Sequence, residues 1–316
     1  MRRVQKLSPT ISIISSALLL ASCTGSEVGL VANEGQDRVS AFDPAADTPE
    51  GSVAISRSSI QHYEMAISPS AEAGYIATSG SSTIRSVSLD NLPPNVLNTF
   101  QASHAVSEMA TFPEDRIFLL MAGGTDAGQG VISTITANGN EIDRVVLNQG
   151  LEPIAMAACD DGQHLLVGVP GNPPEVHKFS IANDGSISAT TARYALQGGT
   201  TAMADVLCAP GSTTGAAVVG ALQPTPRAGS ASAYVESFDL GTMSGQQVEP
   251  LTGRHPLSAV FSPNGKTIFA HSGLNTRFGE SYVDSFAYDA AQGTFGSGNS
   301  VRMAPVGEAG GSTLAM

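Results

Sequence analysis

The sequence predicts an all-β fold arranged as a propeller. Three observations carry that expectation. A pattern of short strand-like segments returns with opening positions at 65, 109, 156, 206 and 259, at spacings of 44, 47, 50 and 53 residues. The two ends of the chain hold complementary parts of that pattern. The chain of 316 residues is also punctuated by 34 Gly and 18 Pro, while a hydrophobic share of 41% supports a packed core.

The repeat is clearest late in the chain. Ala259-Val260-Phe261-Ser262-Pro263 reads as an apolar strand running into an Asn264-Gly265 turn. Thr267–Ala270 runs back, and Val283–Asp289 alternates with period two. The opening element recurs as Met65–Pro69, Met109–Pro113, Met156–Asp160 and Val206–Pro210. Second strands recur at Tyr75–Thr78, Ile117–Met121, Leu165–Val169 and Ala216–Val219; third strands recur at Ile84–Leu89, Val131–Thr136, Val176–Ile181 and Val235–Leu240. A fourth follows at Val96–Phe100, Glu141–Leu147 and Ile187–Tyr194. Four strands per repeat of this length is the pattern of a propeller blade.

The ends complete one more unit. Ser312–Met316 reads as an opening strand with nothing after it, and Gly29–Ala32, Arg38–Asp43 and Ser52–Ser56 read as strands two, three and four. Pairing of Ser312–Met316 with Leu30–Ala32 would close the ring and remove its open sheet edges. Five complete units and one composite give six blades, or seven if a weak repeat hides in 204–257.

The first residues read as an address. Arg2, Arg3 and Lys6 precede an apolar stretch, Ile11–Ala21, too short to span a bilayer as a helix. It ends in Leu20-Ala21-Ser22-Cys23, which resembles the bacterial lipobox. The resemblance implies cleavage before Cys23 and attachment of diacylglycerol to its sulfur, with further acylation of the new amino terminus. Residues 1–22 are then the leader, 23–28 a lipidated tether and 29–316 the propeller domain. Thr24 rather than Asp after the Cys implies, by the same resemblance, the outer membrane, with the domain facing periplasm or surface.

Charge narrows the partners. The net charge of −13 lacks the basic footprint that nucleic acid requires. Loss of residues 1–22 removes three positive charges and leaves 12 basic against 28 acidic residues. An anionic membrane surface would repel such a domain, so membrane attachment falls to the lipid. Three Cys provide no multi-Cys metal framework. The chain has no Gly-x-Ser-x-Gly elbow, Walker loop or His-Glu-x-x-His motif.

Phe261-Ser262-Pro263-Asn264-Gly265-Lys266, with Val283–Asp289 and Gly293-Thr294-Phe295, resembles the bacterial YVTN and lactonase-like β-propellers. That resemblance implies one binding face around the axial channel, formed by the loops leading into first strands and those joining strands two and three. The residues ahead of the five opening strands are Glu64, Glu108, Ala155, Asp205 and Ser258. Glu64, Glu108 and Asp205 could ring the channel and hold Ca²⁺ as hard oxygen ligands, or stand apart as solvated carboxylates. His62, His104 and His255 belong to the same loops. Arg254-His255 resembles an Arg-His pair of the lactonase-like group and implies an alternative hydrolase or isomerase activity in the channel. The following Pro256–Val260 gap and His271-Ser272-Gly273 depart from that pattern.

The loops Gly220–Ala231 and His271–Ser281 are long and carry Arg227, Arg277 and Phe278, residue types that anchor interfaces. They make a non-enzymatic binding or scaffold role, toward an envelope protein or glycan, the first expectation. Cys159 and Cys208 end neighbouring opening strands and form either a disulfide or two buried thiols.

Overall fold

The computed structural model describes residues 18–23, 26–33, 38–43, 48–54, 63–68, 72–78, 81–89, 94–112, 116–122, 129–147, 153–197, 202–212, 215–221, 233–262, 264–273 and 281–303. Every regular element among them is a strand. They form six four-stranded antiparallel sheets, each with its strands side by side in chain order. The first sheet holds β1 (Leu18–Cys23), β2 (Ser26–Asn33), β3 (Arg38–Asp43) and β4 (Thr48–Ala54). The second holds β5 (Tyr63–Ile67), β6 (Ala73–Thr78), β7 (Thr83–Ser88) and β8 (Asn95–Gln101). The third holds β9 (Ala105–Phe112), β10 (Arg116–Ala122), β11 (Val131–Thr136) and β12 (Glu141–Val146). The fourth holds β13 (Ala155–Ala158), β14 (His164–Val169), β15 (Glu175–Ile181) and β16 (Ile187–Ala195). The fifth holds β17 (Ala202–Cys208), β18 (Gly215–Ala221), β19 (Ala233–Asp239) and β20 (Ser244–Pro250). The sixth holds β21 (His255–Phe261), β22 (Thr267–Gly273), β23 (Ser281–Asp289) and β24 (Thr294–Met303). The first strands of successive sheets are neighbours from β1 through β5, β9, β13 and β17 to β21. That is the inner-strand arrangement of a β-propeller.

The first sheet differs from the sequence reading. β1 pairs with β2 from Leu18↔Val31 to Cys23↔Ser26, taking the place expected for Ser312–Met316. Residues 304–316 lie outside the described residues. Both β1 and the start of β2 fall within the segments read as leader and tether. The reason is a shared chemistry: a short apolar run that suits a leader also suits the open edge of β2.

Turn chemistry sets the hairpins. At Asn264-Gly265 the Asn264 side chain accepts the N–H of Lys266 at 3.0 Å, and Gly265 donates to Ser262 O at 2.8 Å. Gly265 has φ +67°, and a Cβ there would stand 2.5 Å from Pro210 O in the neighbouring sheet. Both facts call for glycine.

The core sits in the seams between sheets. Tyr75 and Ile84 of the second sheet pack with Ile117 and Leu119 of the third. Phe118 and Leu120 face Leu165 and Phe179 of the fourth. Tyr194 stacks on Phe238 of the fifth sheet with ring centroids 4.6 Å apart. Phe261, Phe286, Tyr288 and Phe295 fill the last seam with Val235. The third, fourth and fifth sheets are therefore apolar on both faces, as sheets stacked around an axis require.

Buried carboxylates clasp two of these seams. Glu236 in β19 is fully buried; it accepts Tyr194 Oη–H at 2.7 Å and the Gln197 N–H at 2.9 Å. Asp284 in β23 accepts the Thr252 N–H at 2.9 Å and its hydroxyl at 2.6 Å. Each clasp joins a third strand to the segment leaving the previous sheet, satisfying groups that the seam would otherwise bury unpaired.

Candidate functional site

The residues expected ahead of the opening strands lie inside them. Glu64 pairs with Ala77, Glu108 with Leu120, Ala155 with Gly168, Asp205 with Val219 and Ser258 with His271. They occupy one level of the inner strands. Ser107, Ala204 and Leu257 are the extra residues at register shifts just before Glu108, Asp205 and Ser258. A bulge re-aims the side chain that follows it. No sequence signal marks these bulges, and His271, read as the start of a loop, lies buried in β22.

The carboxylates of Glu64, Glu108 and Asp205 come from the second, third and fifth sheets, yet they feel one another. Burial pushes Glu64 up to about 7, helped by the Asp205 charge. Burial raises Glu108 well above its ordinary value, with Asp205 and then Glu64 adding to the rise. Asp205 is held at about 6 by burial, against the lowering effect of the N–H groups of Ala259 and Val206. Those donors stand 3.0 and 2.9 Å from its oxygens. Glu108 likewise accepts the N–H of Met156, and its Oε2 is buried with no partner among the described residues. Each tie reaches the residue one place past the equivalent position in the next sheet.

Three carboxyls of raised affinity for protons, carried by rigid strands, can share protons or receive a cationic group. Among the described residues no three ligating side chains stand at metal-binding spacing. An ammonium or guanidinium group, with several N–H bonds, bridges wider separations than a bare ion.

The other expected residues divide. Arg254 is exposed, and its backbone N–H donates to Gly273 O at 2.7 Å. His255 opens β21 opposite Gly273. Arg227, Arg277, Phe278 and His62 lie outside the described residues. Cys23 ends β1. His104 accepts or donates at Nδ1 with Ser103 Oγ at 2.9 Å, away from the three acids in the hydrogen-bond network.

Cys159 and Cys208 are joined in a disulfide, with Cα atoms 5.2 Å apart. Their positions in the repeat differ by one, so equivalent strands turn them to opposite faces. Residues on opposite faces of neighbouring sheets look at each other across the shared seam. The bond thus staples the fourth sheet to the fifth.

No protein-family model matches the sequence, and no curated protein matches it by sequence. Solved structures do resemble it. Kuenenia stuttgartiensis hydrazine synthase superimposes with a TM-score of 0.66 at 15% identity, over 90% of this chain and 80% of that one. A Lactobacillus plantarum protein gives a TM-score of 0.63 at 12% identity, over 92% and 85% of the two chains. A Bacteroides uniformis protein proposed to be a 6-phosphogluconolactonase gives 0.60 at 15% identity, over 89% and 81%. Likeness at such identities speaks to architecture alone, and with the six sheets of the described residues it supports the β-propeller fold.

Proposed function

We propose that the chain is a lipid-anchored β-propeller of the bacterial envelope that binds a partner on the face where its inner strands begin. The observation that carries this reading is the placement of Glu64, Glu108 and Asp205 at one level of three inner strands, with Glu108 Oε2 buried and without a partner among the described residues. The partner's contact group is cationic, a lysine or arginine side chain of an envelope protein, which replaces the protons these carboxyls hold. Arg227, Arg277 and Phe278, in the long loops joining second to third strands, widen the contact. Cys23 carries the lipid, and the domain faces periplasm or surface. The Cys159–Cys208 disulfide suits an oxidising compartment.

The test is crosslinking in intact cells followed by capture of the full-length chain. A specific protein should be recovered, and its recovery should fall on Glu108→Gln, Asp205→Asn, Arg227→Ala or Arg277→Ala. Unchanged recovery from all four variants would remove this face from the interaction.

A second reading is a hydrolase or isomerase acting on a lactone. Arg254 and His255 at the start of β21 favour it, since that strand begins on the same face. In that case Arg254 polarises the carbonyl and His255 moves the proton. Turnover in a lactone panel, abolished by His255→Ala with the fold intact, would replace the binding reading.

A further inference from the structure

Between the second and third sheets lies a cavity of about 260 Å³, lined by Gln101, Ser103, Ser133, Glu141 and Arg144 and floored by Leu119, Met121 and Ile135. The space is half open to solvent at Gln101, Ser103, Glu141 and Arg144. It has a cause in the repeat. The N–H groups of Ala102, Leu196 and Leu251 donate to Ser82 O, Pro174 O and Ala233 O, which makes these three positions equivalent. The next residues are Ser103, Gln197 and Thr252. Gln197 is clasped by Glu236 and Thr252 by Asp284. By the register of the third strands, the matching residue in this seam is Ser133. Its hydroxyl turns away to Glu141 Oε2 at 3.0 Å and Asp143 O at 3.2 Å. The seam stays open where the other two are closed.

The cavity wall is a prepared one. Arg144 holds Glu141 Oε2 through Nε at 3.1 Å and Nη2 at 2.7 Å. Glu141 Oε1 and Arg144 Nη1 have no protein partner among the described residues. Both side chains are about two-fifths exposed, and an acceptor beside a donor matches two neighbouring hydroxyls, one donating and one accepting. The pair is neutral overall, which favours a neutral ligand over an ion. The floor of Leu119, Met121 and Ile135 matches the C–H face of a ring. The volume equals roughly nine waters, enough for one ring-sized polyol and below the usual range of drug-sized pockets.

We propose that this seam binds one neutral hexopyranose unit, gripped through a vicinal diol by Glu141 and Arg144. The site is separate from the three inner-strand carboxylates and stands or falls without them. D-glucose, D-galactose, D-mannose and N-acetyl-D-glucosamine are the probes, titrated against the full-length chain in detergent by saturation-transfer difference NMR and calorimetry. At least one should bind in the millimolar range. Glu141→Gln and Ser133→Gln, the latter filling the cavity beside Ser103, should each weaken it by about tenfold or more. Thermal unfolding of both variants checks the fold, and Arg144→Lys, which keeps charge but loses the planar fork, should weaken binding as well. Asp205→Asn and Glu108→Gln should leave sugar affinity unchanged. No binding of any probe up to about 50 mM, or binding that survives both Glu141→Gln and Arg144→Lys, would overturn the proposal.

Discussion

Asp205 in β17 accepts the backbone N–H of Ala259 in β21 at 3.0 Å, so a carboxylate on one inner strand holds the next sheet in place. Its other oxygen takes the N–H of Val206 at 2.9 Å. Asp205→Ala leaves both donors short of an acceptor and should destabilise the fold by about 1–3 kcal/mol. Asp205→Asn keeps an acceptor and should lose less. Thermal unfolding of the two variants at neutral pH checks this order.

The inner carboxyls should give stability an unusual pH dependence. Glu64 titrates near 4.5 when unfolded and about 7 when folded; Asp205 moves from 3.8 to about 6. Both folded values lie above the unfolded ones, so the folded state binds more protons between them. Their stabilising contribution is complete below the unfolded values and is lost as pH rises through 6 to 7. Unfolding free energy should therefore fall between pH 5 and pH 8, by about 4 kcal/mol. Glu108→Gln should flatten that slope, because it removes one member of the coupled set. A profile that rises steadily from acid to pH 8 would show that the acids are ionised and apart.

Much of this arrangement was legible in the residues, for definite reasons. The Ser-Pro-Asn-Gly turn at 262–265 dictates a hairpin whatever surrounds it, and the period-two run Val283–Asp289 can only be a half-buried strand. Aligning the repeats set Glu64, Glu108 and Asp205 at one level. Their placement inside the strands was hidden, because a bulge at Ser107 or Ala204 depends on pairing with a distant partner. The clasps of Glu236 and Asp284 were hidden for the same reason: their partners are 39 and 32 residues away. Leu18–Cys23 is ambiguous, since one apolar run suits both export and pairing.

Removal of a clasp should cost more than removal of any surface charge. Glu236→Ala strands the Tyr194 hydroxyl and the Gln197 N–H in a dry seam, and a loss of about 2–4 kcal/mol is expected. Tyr194→Phe should cost about 1 kcal/mol, because Glu236 retains Gln197. Denaturant unfolding of both variants measures the difference.

The disulfide should be structural. Cys159 and Cys208 are 49 residues apart, and closing that span restricts the unfolded chain. Reduction, or the double change to Ala, should lower stability by about 2–4 kcal/mol. Thiol labelling of the denatured, unreduced chain should find neither Cys159 nor Cys208; labelling of both would contradict the bond.

Export and closure make a linked prediction. The proposed cleavage before Cys23 would remove Leu18–Ser22 from the edge of β2. Ser312–Met316 would then take that edge. Deletion of residues 312–316 should therefore lower the melting temperature of the cleaved chain markedly and that of the uncleaved chain little. Cys23→Ala should shift the protein out of the membrane fraction and abolish its lipid mass. Equal effects of the deletion on both forms would argue against strand replacement.

Convergence of Glu64, Glu108 and Asp205 is tested most directly by a carboxyl-carbon NMR titration of the folded chain, assigned with Glu64→Gln, Glu108→Gln and Asp205→Asn. Convergence predicts Glu64 at about 7, Asp205 at about 6 and Glu108 well above its ordinary value, with Glu64 and Glu108 shifting downward in Asp205→Asn. Three independent titrations near 4, indifferent to one another's substitution, would contradict it.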